Sequence, residues 1–159
     1  MTHQRVASGQ IFPAVLTLEG VKPEMEFEPK VFGPIARSDI VRYAGASGDF
    51  NPIHIDEGYA KQTGAPTVFA MGMFPAGYLA TALTDWIGGP QYVRRFKVRF
   101  TTRVWPGDEI VCNGKVTTID DARVTVALEA RRRGSGPQGS DVAEDEVAIV
   151  GEAEIELPR

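Results

Sequence analysis

Between Met73 and Ile87 the chain reads Met-Phe-Pro-Ala-Gly-Tyr-Leu-Ala-Thr-Ala-Leu-Thr-Asp-Trp-Ile, apolar on nearly every side of a helical wheel. That pattern predicts an interior helix. Pro75 is tolerable in its first turn, and Gly88-Gly89-Pro90 is a strong stop. After the stop the period drops to two. In Tyr92–Thr101, Phe96, Val98 and Phe100 alternate with Arg95, Lys97 and Arg99, which predicts a half-buried strand with the apolar set inward. Pro106-Gly107-Asp108 is a turn leading into a strand over Glu109–Thr118. Asp120-Asp121 turns again into Arg123–Arg131, where Val124, Val126, Leu128 and Ala130 share one face. Gly134–Ser140 is of low complexity and reads as a hairpin loop within an exposed stretch over 133–146. The last strand, Val147–Leu157, sends Ile149, Ala153 and Ile155 inward and Glu152, Glu154 and Glu156 outward.

The first 35 residues carry scattered prolines and no sustained period, with short extended pieces expected around Ile11–Leu18 and Met25–Phe32. Ser38 is placed to cap a helix beginning near Asp39, with Ile40, Val41 and Tyr43 on its apolar side. Gly45–Gly48 must end it. A shorter helix is expected over Asp56–Gln62, capped by Asp56 and closed by Gly64–Pro66.

The order is therefore an irregular start, two short helices, one interior helix and four antiparallel strands. An antiparallel sheet needs one face covered, and the Met73–Ile87 helix is the element apolar enough to cover it. At 1.5 Å per residue that helix is about 22 Å long, the span of a sheet curled around it. The predicted class is α+β: a curved antiparallel sheet wrapped around a long central helix, the hot-dog arrangement.

The composition is compatible with this. The 159 residues, 43% hydrophobic and 24% charged, suit one domain over 1–159 with a flexible terminus over 1–10. Cys112 is the only cysteine, so the chain offers no internal disulfide and no thiolate cluster for zinc. A cytoplasmic protein is the expectation. The formal net charge of −4 argues against a nucleic-acid binder. Met1–Gln10 lacks the apolar core of a signal peptide, and Thr81, Thr84 and Asp85 interrupt the Val68–Ile87 run too often for a membrane span.

The chain has two histidines. His3 lies in the terminus. His54 lies in Gly48-Asp49-Phe50-Asn51-Pro52-Ile53-His54, a stretch whose glycine and Asn-Pro pair place it on a sharp turn. Extended, Asp49 and His54 would stand roughly 17 Å apart; a bend at Asn51-Pro52 brings a carboxylate and an imidazole within reach of one water. Such a pair can accept one proton and donate another. The same residues would also serve as a turn aspartate bonded to backbone and a satisfied half-buried histidine. Spacing alone does not decide between these.

The string Gly48–His54, followed after five residues by Ala60, resembles the signature of the MaoC-like (R)-specific enoyl-CoA hydratases. The resemblance continues through Ala70–Met73, Arg95–Phe100 and Trp105–Glu109, and covers roughly residues 33–119. It implies a hot-dog enzyme acting on acyl-CoA or acyl-carrier-protein thioesters without metal or redox cofactor. Asp49 and His54 would hold the water that adds to the β-carbon of a trans-2-enoyl thioester. Gly72 would offer its amide to the thioester carbonyl at the start of the central helix, beside Met73, and Asn51 would position the loop. Many relatives carry histidine where this chain has Met71, and Ala46 is a smaller departure. The resemblance further implies a homodimer with joined sheets, or a heteromer with a related subunit.

Phe50, Met73, Phe74, Tyr78 and Trp86 are available for an acyl trough, and Arg94, Arg95, Lys97, Arg99 and Arg103 for CoA or pantetheine phosphates. Cys112, within a strand, reads as a buried small hydrophobe. A thioesterase on the same fold would instead need an isolated carboxylate on the helix, for which Asp85 is the candidate; a non-catalytic acyl-binding subunit is the third reading.

Overall fold

The computed structural model describes residues 14–138 and 143–159; His3, the expected flexible terminus over 1–10 and the first three residues of the predicted Ile11–Leu18 piece lie outside the described residues. Strand β1 (Lys30–Phe32) is followed by helices α1 (Arg37–Ser47), α2 (Glu57–Gln62) and α3 (Met73–Ile87), and by strands β2 (Val93–Phe100), β3 (Glu109–Asp120), β4 (Arg123–Arg133) and β5 (Asp145–Glu156). The strands form one antiparallel five-stranded sheet in the order β1-β3-β4-β5-β2. The two edges are thus a three-residue strand and β2, the strand that leaves the central helix.

Helix α3 has the predicted bounds and ends where Gly88 adopts the left-handed conformation, φ 85°. Leu79, Ala82, Leu83 and Ile87 are buried with Ile110, Cys112, Val116, Val124, Val126, Ile149, Ala153 and Ile155 in one core. This is the hot-dog arrangement: the inward rows of β3, β4 and β5 close on the helix. The helix is not buried all round, however. Met73, Gly77 and Thr81 form an exposed stripe at four-residue spacing, because the sheet covers only part of its circumference.

Several local expectations change. No side-chain cap comes from Ser38; α1 starts at Arg37, and the Asp39 carboxylate accepts from the Ala36 N–H at 2.9 Å. Val41, expected on the apolar side, is 56% exposed, since α1 lies on the surface and buries only Ile40 and Ala44. Residues 14–17 are not a strand; Leu18–Gly20 is a 3-10 turn. Within Met25–Phe32 only β1 is regular, with an isolated bridge from Glu26 to Lys115. Strands β3 and β4 run past their predicted ends and β5 starts two residues early, so the predicted loop over 133–146 loses residues 133, 145 and 146 to strands. Phe100, placed inward by alternation, is 48% exposed because β2 is an edge strand.

Candidate active site

Asp49 and His54 lie on the connection between α1 and α2, and the local sequence dictates its bend. Gly48 takes φ 74° at the C-cap of α1, a conformation that reverses the chain direction and that side chains resist. The Ser47 hydroxyl accepts from the Asp49 N–H at 3.3 Å. Asp49 Oδ1 then accepts from the Asn51 N–H at 3.3 Å, and Asn51 Oδ1 from the Ile53 N–H at 3.2 Å, two successive side-chain-to-backbone turns. Pro52–His54 closes as a 3-10 turn, with the His54 N–H on the Asn51 carbonyl at 3.1 Å. Asp56 caps α2 by accepting from the Tyr59 N–H at 2.9 Å. Asp49 and His54 are both half-buried.

The imidazole has a fixed orientation. His54 Nδ1 lies 2.7 Å from the carbonyl oxygen of Phe69, and the ring meets the Phe69 ring edge-on at 5.1 Å between centroids. A carbonyl only accepts, so Nδ1 carries the hydrogen. In the neutral ring the lone pair is then on Nε2.

Phe69 is also part of a cavity of about 720 Å³, lined with Gly72, Pro75, Phe100, residues 101–105, Glu146, Ala148 and Ile149. His54 is bonded to the backbone of one of these lining residues. Asp49 and His54 are not among the lining residues, and Gly72 is. Gly72 has helical dihedrals, so it is not required for backbone freedom. It is required for space: a Cβ here would meet three atoms of the Phe100 ring at 3.1–3.2 Å. The first turn of α3 has donors to spare. The Phe74 N–H bonds to the Met71 carbonyl, Pro75 has none, and Ala76 bonds to Gly72. Among the described residues no backbone carbonyl accepts from Gly72 or Met73, so two N–H groups remain at the positive end of the helix.

The five side chains available for an acyl trough do not line this cavity. Phe74 stacks on Tyr43, Tyr78 on Phe32 and Trp86 on Phe27, with centroids 5.0, 4.7 and 5.1 Å apart; these rings are core. Phe50 and Met73 are 64% and 57% exposed, and none of the five lines the cavity. Of the basic row, Arg94 and Arg95 are paired with Glu156 and Glu154 across the β2–β5 ladder, each at 3.0 Å. Arg103 behaves differently. Its guanidinium lies 4.9 Å above the Phe69 ring and lines the cavity. Asp85 is held by Lys30 at 2.7 Å near the far end of α3. Met71 is buried, and burial pushes the Cys112 thiol up to about 12.

One cavity-supporting pair escaped the sequence reading. Arg132 and Asp108 form a buried ion pair whose carboxylate also accepts from the Trp105 N–H at 2.8 Å. Strand alternation carried the signal, since Arg132 continues the inward row of Val124, Val126, Leu128 and Ala130. An inward arginine requires an acid. Among the described residues no group of three or more His, Cys, Asp or Glu is placed to hold a metal ion, and no helix is long and apolar enough to cross a membrane.

The MaoC like domain family matches residues 19–134. An (R)-specific enoyl-CoA hydratase of Rhodospirillum rubrum is 32% identical over 126 residues, covering 78% of this chain and 81% of that protein. A fatty acid synthase beta subunit of Emericella nidulans is 33% identical over 119 residues, 74% of this chain, which corresponds to only 6% of that protein's length. In three dimensions an R-hydratase of Pseudomonas aeruginosa superposes with a TM-score of 0.72 at 26% identity, over 89% of this chain and 84% of that one. The chain belongs to the MaoC-like dehydratase family, hydro-lyases built on the hot-dog fold.

Proposed function

We propose that the protein adds water to trans-2-enoyl thioesters to give (3R)-hydroxyacyl thioesters, and catalyses the reverse dehydration, with Asp49 and His54 as the acid/base pair. The observation that supports this reading is the His54–Phe69 bond, because it leaves the Nε2 lone pair available as a base on a residue tied to the cavity-lining Phe69. The water oxygen bonds to C3 as its proton passes to one member of the pair. The C2=C3 electrons move toward the carbonyl, and the resulting enolate takes a proton at C2. That proton comes from the pair, which ends with the proton count it began with. Negative charge on the thioester oxygen is met by the Gly72 and Met73 amides at the start of α3. No metal or redox cofactor takes part in this scheme. Asn51 holds the loop shape and does no chemistry.

The acyl chain lies in the cavity against Pro75, Phe100, Ala148 and Ile149, and Arg103 meets a phosphate of CoA or of a carrier protein's pantetheine arm. Two copies join through the free edge of β2. The protein works in the cytoplasm, in acyl-thioester metabolism. The thioesterase reading loses its residue, since Asp85 is engaged by Lys30. Incubation of the purified protein with trans-2-enoyl-CoAs tests the proposal: loss of the enoyl chromophore with a (3R) product supports it. Release of free CoA thiol with the enoyl group intact would overturn it.

A further inference from the structure

The three stretches used by the proposed mechanism meet at a carboxylate that the mechanism does not use. Glu57 opens α2 and accepts from the Thr67 hydroxyl at 2.9 Å. It pairs with Arg37 of α1 at 2.8 Å and with Lys61, one turn further along α2, at 3.3 Å. Arg37 also donates to the Thr67 hydroxyl at 2.8 Å, which closes a ring of polar contacts.

Each member sits on a segment that carries a reacting or orienting group. Arg37 begins the helix that ends at the Gly48 cap, one residue before Asp49. Glu57 begins the helix that follows the His54 turn. Thr67 stands two residues before Phe69, whose carbonyl holds the imidazole. Two parallel ties therefore join residues 54–57 to residues 67–69: His54 Nδ1 to the Phe69 carbonyl, and the Thr67 hydroxyl to Glu57.

As a source of stability this network is minor, because the side chains of Arg37, Lys61 and Glu57 are 56%, 61% and 37% exposed. As a constraint on distance it matters more. The neutral imidazole keeps its hydrogen on Nδ1 only while the Phe69 carbonyl stays in reach, and that carbonyl belongs to an irregular segment held by the Ala70 N–H on the Val104 carbonyl at 2.9 Å and by the buried Val68 beside Ala60. We propose that Glu57 is a positioning residue for His54: by gripping Thr67 and Arg37 it sets the spacing between α2 and residues 67–69 and so selects the Nδ1–H tautomer. This rests on the reading of His54 as an acid/base.

The test uses the full chain labelled with 15N, in wild type and in the Glu57→Ala, Glu57→Gln and Thr67→Val variants, with His54 signals assigned by His54→Gln. NMR of the neutral ring reads the tautomer, and crotonyl-CoA hydration reads kcat and KM. The wild type shows the Nδ1–H form. Glu57→Ala shows a mixture of tautomers, with kcat down about 10- to 100-fold and KM changed less than about two-fold. Glu57→Gln, which still accepts from Thr67, retains the tautomer and most of kcat. Thr67→Val added to Glu57→Ala costs nothing further, because both remove one tie. A folded Glu57→Ala protein with the wild-type tautomer, or with a loss confined to KM, overturns the inference. Failure of the underlying reading is seen separately, as hydration that survives His54→Gln while the tautomer result stands.

Discussion

Arg132 donates to both carboxylate oxygens of Asp108, at 2.6 and 2.8 Å, with the two side chains 0% and 1% exposed. Its remaining N–H groups reach the carbonyls of Gly134 and Ala143 and the carboxylate of Glu146, so all five guanidinium hydrogens are used. The pair joins the turn after β2 to both ends of the β4–β5 loop, and so ties the cavity-lining Trp105 and Glu146 together. Gly134 makes room for it, since a Cβ there would lie 2.4 Å from Asp108 Oδ1.

Arg132→Met leaves the Asp108 carboxylate buried without its cation, and is expected to cost about 3–5 kcal/mol in urea unfolding. Combining it with Asp108→Asn should cost less than the sum of the two single changes. An unchanged unfolding midpoint in Arg132→Met would contradict this view of the pair.

Gly72→Ala forces the Phe100 ring aside, and Phe100 is exposed enough to move. The fold should therefore survive, while crotonyl-CoA hydration falls about 100-fold as the α3 amides shift off the thioester oxygen. Phe100→Ala in the same chain should recover most of that loss. Equal damage with and without the ring would mean that the contact is not the cause.

The Glu57 carboxyl is lowered to about 2, first by the Thr67 hydroxyl and then by Arg37. A carboxyl with a depressed folded-state pKa contributes stability above its unfolded value, here 4.5, and loses it as pH falls toward 2. Thermal unfolding of wild type and Glu57→Gln should therefore differ only slightly at pH 6, because the pairs are exposed, and converge between pH 4.5 and 2. Parallel curves across that range would mean that the charge of Glu57 adds nothing to its pairing with Arg37 and Lys61.

Cys112 is buried within β3, and its thiol is pushed up to about 12. A disulfide reagent at pH 8 should leave it untouched in the native protein and titrate one thiol per chain in denaturant, with hydration unaffected by the treatment. Rapid native labelling that abolishes activity would contradict its placement.

How much of this was legible depends on the kind of signal each residue carries. Periodicity gave α3 to the residue and the inward faces of β4 and β5, because Val124, Val126, Ile149 and Ile155 state their burial by chemical type. Alternation names a face without saying whether anything covers it, which is why Phe100 was placed inward although β2 is an edge. Nothing local to β2 shows that its neighbour is β5, a pairing set by closure of the sheet. At the site, Gly48, Asp49, Asn51 and His54 stood out as a string. The Phe69 carbonyl did not, because a backbone acceptor has no signature in residue types. The aromatic residues available for a trough could not be told by type from core, and Phe74, Tyr78 and Trp86 are stacked in it.

The account turns on the His54 imidazole, and its most direct test is the hydration rate of crotonyl-CoA by folded His54→Gln protein. The expected result is a fall of about 100- to 10,000-fold with native unfolding behaviour retained, the range that general acid/base catalysis supplies. A rate near that of the wild type would contradict it.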